Sequence, residues 1–203
     1  MKRIKSKQSP KKKYPPSKPV IFLDIDGVLN STTFHKDSFD RQNSLIDPIL
    51  VARLDKLVQK TDSLIVISSA LRFIYSLPEL REILGNAGIK NSRTRVIDTL
   101  LGDSGGNRLV NSKGTYILDW LRFHPKVKDY LILDDTDLTD DIIHSKSVIA
   151  HFKQRLFPNL VRTDPDLGLT EENDLQAAKI LSHNKIVKVN ISTTKTSTKG
   201  NYT

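Results

Sequence analysis

The sequence predicts an α/β domain in three layers, with a parallel sheet covered by helices on both faces. Two observations predict it. The runs Val20 to Leu23, Leu64 to Ile67 and Tyr130 to Leu133 are short and apolar throughout, as strands buried on both faces must be. Stretches with apolar residues at helical spacing lie between them, so strand and helix alternate along the chain.

The elements follow in order. Val20 to Leu23 is the first strand. Asp47-Pro48 opens a helix carrying Ile49, Leu50, Leu54 and Leu57, with proline at a first-turn position where its missing N–H costs nothing. Leu64 to Ile67 is the second strand and ends at Ser68-Ser69. Leu71 to Leu84 reads as helical with a break near Pro78, and Gly88-Ile89 ends its continuation. Val96-Ile97 is a short strand. Lys113 to Phe123 is a helix with Tyr116, Ile117, Trp120 and Leu121 on one face. Tyr130 to Leu133 is the next strand and ends at Asp134-Asp135. Leu160-Val161, before the turn Asp164-Pro165, reads as the last parallel strand. Thr170-Glu171-Glu172 supplies a cap and first-turn acids for a helix to about Leu181, and Ile186 to Ile191 is a candidate edge strand.

Charge divides the chain. The net charge is +9, yet residues 1–18 hold eight basic and no acidic residues, and residues 184–203 hold four lysines and no acid. The remainder has 20 basic against 23 acidic residues, a net of −3. The expected organisation is a flexible basic arm over 1–18, an α/β domain over 19–191 and a Ser/Thr/Lys-rich tail or linker over 192–203. Such arms suit nucleic acid or an anionic membrane, or serve solubility alone. No apolar run approaches the roughly 20 residues of a transmembrane helix or forms a signal-peptide core. An intracellular, cytoplasmic protein is expected, and the lysine-rich arms also suit delivery into a host cell. The chain has no cysteine, which excludes disulfides, thiolate metal sites and cysteine nucleophiles.

The chemistry concentrates where strands end. Asp24-Ile25-Asp26-Gly27, Ser68-Ser69 and Asp134-Asp135 each follow an apolar strand, and the carboxyl ends of parallel strands form the ligand crevice of an open α/β sheet. Neighbouring strands lie about 4.8 Å apart, so the three segments can line one pocket. Taken alone, Asp-x-Asp-Gly also suits a simple turn; a calcium loop needs an oxygen ligand where Val28 stands. Asp134-Asp135 alone also suits a solvated strand end. Together the acids suit a shared hard cation, and carboxylate and carbonyl donors without His or Cys favour magnesium. Lys113, at the start of the helix leading to that strand, is the cation placed to offset them, ahead of Lys126 and Lys128.

These segments resemble the four motifs of the haloacid dehalogenase (HAD) superfamily of phosphatases, over about residues 20 to 183. The matching residues are Asp24 and Asp26, Ser68, Lys113, and Asp134 with Asp135. Asp24 to Asn30, with Asp164-Pro165 and Gly168-Leu169-Thr170, is similar to small members associated with RNA-repair proteins. Those members often carry Trp before the Arg that follows the serine motif; here Leu71 precedes Arg72. The resemblance implies a HAD-like, Rossmann-like sheet without a large cap. It also implies a Mg²⁺-dependent phosphomonoesterase with Asp24 as nucleophile and Asp26 as acid and base. Ser68 and Lys113 would hold the phosphoryl group. The metal would be held by Asp24, the backbone carbonyl of Asp26 and Asp135, with Asp134 orienting Lys113 or a metal-bound water.

The segments between motifs leave room for a flap, roughly Val28 to Asn43, but for no cap domain. An open pocket suits a phosphorylated macromolecule that itself excludes water. A phosphoprotein, with phosphotyrosine favoured, is the expected substrate. A nucleic-acid end is the alternative, and a non-catalytic binding module with basic arms is the competing class.

Overall fold

The computed structural model describes residues 18–37, 46–100, 112–138 and 146–182. Its strands are β1 (Val20–Leu23), β2 (Leu64–Ile67), β3 (Val96–Thr99), β4 (Tyr130–Asp134) and β5 (Leu160–Arg162). They form one parallel sheet in the order β3-β2-β1-β4-β5, the predicted doubly wound arrangement. The helices are α1 (Thr32–Asp37), α2 (Pro48–Thr61), α3 (Leu77–Ala87), α4 (Ser92–Arg95), α5 (Lys113–Phe123), α6 (Lys146–Arg155) and α7, spanning 171–182.

The unbroken apolar strands are explained by two cores. Successive strand side chains point to opposite faces. Ile21, Leu23, Ile65, Ile67, Leu131 and Leu133 pack with Leu54, Leu57, Leu80, Leu84 and Leu181 of α2, α3 and α7. Val20, Phe22, Leu64, Val66 and Ile132 pack on the other face with Ile117, Trp120, Phe152 and Leu156, from α5 and from α6 and its C-terminal end. Phe22 meets Trp120 edge to face at 5.3 Å, and the Trp120 indole N–H donates to Asp98 Oδ2 at 3.0 Å. Both faces of the sheet are therefore covered, which makes three layers.

Local signals place the helix ends. The Asp47 side chain accepts the Ile49 N–H at 2.8 Å with Pro48 behind it, and α2 ends at Asp62 in a left-handed conformation. The stretch from Leu71, expected to be helical with a break near Pro78, divides a few residues earlier. Residues Ala70–Phe73 form a 3-10 turn, and α3 starts afresh at Leu77, with Pro78 in its first turn. Glu79 accepts from both the amide and the hydroxyl of Ser76, at 2.7 and 2.6 Å, a start signal that outweighs the periodicity upstream.

Helices α4 and α6 are additions to the sequence reading. In α6, Val148, Ile149 and Phe152 stand at helical spacing, a short pattern that the sequence reading passed over. The described part of the expected flap is a turn followed by α1. The arm over 1–17, the candidate strand over 186–191 and the tail lie outside the described residues. Lys18, the last residue of the basic arm, pairs with Asp62 at 2.9 Å, and Arg95 binds the same carboxylate at 2.5 Å. Among the described residues no helix is long and apolar enough to cross a membrane.

Candidate active site

Strand register builds the site. Leu23 of β1 aligns with Ile67 of β2 and with Leu133 of β4, so Asp24, Ser68 and Asp134 leave the sheet at one level. The Asp24 amide donates to the Leu133 carbonyl at 2.9 Å, and the Ser68 amide to the Leu23 carbonyl at 2.8 Å. Strand order reverses between β1 and β4, and the crevice opens at such a reversal.

Asp24, Asp134 and Asp135 converge there, each offering a carboxylate oxygen within 4.8 Å of the others. Lys113, at the first position of α5, reaches between them. Its ammonium pairs with Asp24 Oδ2 and lies 2.8 Å from Asp134 Oδ2. The helix start is fixed by Ser112, whose hydroxyl accepts the Thr115 N–H. Burial opposes the Lys113 charge, but the carboxylates of Asp24 and Asp134 outweigh it and raise its pKa. Burial raises the pKa of Asp24, with Lys113 opposing and Asp134 reinforcing. Burial, followed by the charge of Asp24, raises that of Asp135. One ammonium does not offset three crowded acids.

The acids are not equivalent. Asp134 is fully buried, and both its oxygens are engaged. Oδ1 accepts from the amide and hydroxyl of Thr136 at 3.1 and 2.7 Å, while Oδ2 faces Lys113. Asp26 lies outside the three-carboxylate cluster, with its side chain exposed and its Oδ1 accepting the Asn30 amide at 2.9 Å. The Ser68 hydroxyl is buried with no hydrogen-bond partner among the described residues. A buried donor left unmade is costly, and it suits a group that waits for a ligand oxygen.

Four further residues support the pocket, and single motifs do not reveal them. Gly27 has φ of 68°, and a Cβ there would stand 2.6 Å from Asp135 Oδ2; the absent side chain is the space the Asp135 carboxylate occupies. The Thr163 hydroxyl donates to the Gly27 carbonyl at 2.8 Å, its amide donates to the Asp134 carbonyl at 2.9 Å, and Arg162 Nε donates to the Asp135 carbonyl at 2.9 Å. The end of β5 thus ties the first acidic loop to the last. Thr163→Val leaves the Gly27 carbonyl without that donor and is expected to cost about 1 kcal/mol in urea unfolding. Arg72 is the fourth. Its Nη1 donates to the Ser68 and Ser69 carbonyls at 2.5 and 2.7 Å, which holds the serine loop in place.

Residues 20–173 match the family described as the HAD domain in Swiss Army Knife RNA repair proteins. The chain belongs to that family. No curated protein and no solved structure matches it. Membership of this HAD family supports phosphohydrolase activity in general, and HAD domains typically use Mg²⁺. The donor set of this HAD domain fits that ion. Its three clustered carboxylates are hard donors, their negative charge exceeds that of Lys113, and the absent side chain at Gly27 lets the Asp135 carboxylate reach the cluster.

Proposed function

We propose that the chain is a Mg²⁺-dependent phosphomonoesterase that passes the phosphoryl group through Asp24 and acts on a phosphorylated nucleic-acid end. The observation that carries it is the meeting of Asp24, Asp134 and Asp135 within 4.8 Å around Lys113. Asp24 and Asp135 would hold the metal with the Asp26 backbone carbonyl. Asp134, whose oxygens are committed to Thr136 and Lys113, orients the lysine. Bound magnesium supplies the positive charge that lets a phosphate dianion approach these acids.

The residues then divide the work. The Asp24 carboxylate attacks phosphorus, and the bond to the leaving oxygen breaks as Asp26 delivers a proton to that oxygen. Asp26, now ionised, removes a proton from water; the water oxygen attacks phosphorus and the Asp24–phosphorus bond breaks. Asn30 holds the exposed Asp26 side chain, where a leaving group passes out to solvent. The Ser68 hydroxyl and the Lys113 ammonium bind phosphoryl oxygens, and positioned donors of this kind carry much of phosphoryl-transfer catalysis.

The family's description concerns RNA repair, which favours a nucleic-acid end over the phosphotyrosine expected from the sequence. The basic arms agree with it. The test compares phosphate release from RNA oligonucleotides phosphorylated at either end with release from a phosphotyrosine peptide. RNA is expected to give the higher kcat/KM by tenfold or more, with no release in chelator; faster turnover of the peptide would reverse the assignment. Independently of turnover, Mg²⁺ is expected to raise the melting temperature of the wild type and to leave that of Asp135→Asn unmoved.

A further inference from the structure

Beyond the phosphoryl pocket the serine loop continues into side chains that the chemistry on Asp24 does not use. Phe73, the last residue of the turn that carries Arg72, and Ile74 after it are 66 and 71% exposed. The Arg72 guanidinium lies 4.2 Å from the centre of the Phe73 ring and 5.9 Å from that of Tyr116. Tyr116 stands one helical turn beyond Lys113 on α5. Arg72 thus stands beside the serine loop with two aromatic rings near it, Phe73 the closer.

Arg72 is held too firmly to swing away. Its Nη1 binds the Ser68 and Ser69 carbonyls, and its Nε is buried with no hydrogen-bond partner among the described residues. Burial lowers its pKa, and the charge of Asp24 opposes that shift. The guanidinium therefore stays beside the phosphoryl pocket and backs the Phe73 ring, leaving most of that ring open to solvent.

We propose that Phe73 is the stacking platform for the nucleobase of the nucleotide whose terminal phosphate enters the pocket. The proposal rests on the nucleic-acid reading above and names what that reading requires beside the site. Spacing favours a base over the ring of a phosphotyrosine. A phosphotyrosine ring is bonded to the phosphate oxygen itself and would remain inside the pocket. The Phe73 ring is set off from the Ser68 loop by the width of a guanidinium, so a group stacked on it must be joined to the phosphate through a spacer. The sugar of a nucleotide is such a spacer. Any base offers a π-face, so the platform accepts ends of varied sequence, and the base must be unpaired and unstacked to reach it.

The experiment uses the full chain with Mg²⁺ and terminally phosphorylated single-stranded RNA whose last nucleotide carries a base or is abasic. The readout is the ratio of the two kcat/KM values. In the wild type, the end bearing a base is expected to be preferred roughly tenfold, the scale of base–aromatic stacking. In Phe73→Ala the ratio falls to near one, and Phe73→Trp keeps it. A wild-type ratio near one, or a ratio unchanged in Phe73→Ala, overturns the stacking platform and leaves the nucleic-acid reading standing. If the wild type hydrolyses an aryl phosphate but releases nothing from any RNA end, the nucleic-acid reading fails and the platform with it.

Discussion

Asp24→Asn is expected to reduce phosphate release by on the order of 10⁴-fold or more, the scale seen when a covalent nucleophile is removed. The amide occupies the same volume between Lys113 and the strand end, but it does not form the acyl phosphate on which the second half of the reaction depends. Steady-state turnover of an aryl phosphate with saturating Mg²⁺ measures the loss, and a rate within tenfold of wild type would remove Asp24 from the chemistry. Stability is expected to move the other way. Burial raises the pKa of Asp24, so the folded state binds that proton more tightly than the unfolded chain does. The stabilisation this proton brings is fully present below the ordinary value of 3.8 and is lost as pH rises through the raised value. At neutral pH in chelator the wild type therefore carries a buried charge that Asn lacks. Asp24→Asn should melt no lower than wild type under those conditions, with any gap closing as the pH is lowered toward 4.

Gly27→Ala is the second large effect. A side chain at φ of 68° costs about 1–2 kcal/mol. The added methyl would also lie 2.6 Å from Asp135 Oδ2, with the Asp135 Cβ and Cγ both at 2.7 Å. The carboxylate must move, because the methyl is fixed to the backbone. Displacement of about 1 Å in a catalytic group is worth roughly 100-fold in rate. The expected result is a folded protein with turnover down by about that factor and a Mg²⁺ requirement shifted to higher concentration. Magnesium titrations of both rate and melting temperature separate this outcome from simple unfolding, which would lower the melting temperature equally with and without the metal.

Much of this was legible in the chain, for a physical reason. A strand buried on both faces is expected to be apolar; β1 and β2 are so throughout and β4 is so up to Leu133, so their ends, and the acids there, could be located. Strand β5 has only Leu160 and Val161 to mark it. Near α3 the proline marks a break, but the new start at Leu77 is set by the Ser76–Glu79 cap. In the site, Asp24, Ser68, Lys113 and Asp134 were legible because strand ends and helix starts share one edge of the sheet. The roles of Gly27, Thr163 and Arg72 were not. Gly27 and Thr163 act across more than 100 residues, on the Asp135 side chain and the Gly27 carbonyl, and Arg72 folds back on the Ser68 and Ser69 carbonyls of its own loop; neither kind of contact follows from a periodic pattern. Phe73 looked like one more apolar residue of a helix; its exposure follows from the break after it.

Asp24 follows the middle strand of the sheet, whose amides and carbonyls are bonded to a neighbour on each side and whose faces are both sealed by packed side chains. No edge is available from which this strand can peel. Heat or denaturant should not loosen the Asp24 carboxylate ahead of the rest of the molecule, so phosphate release and the folded state are expected to disappear in one shared transition.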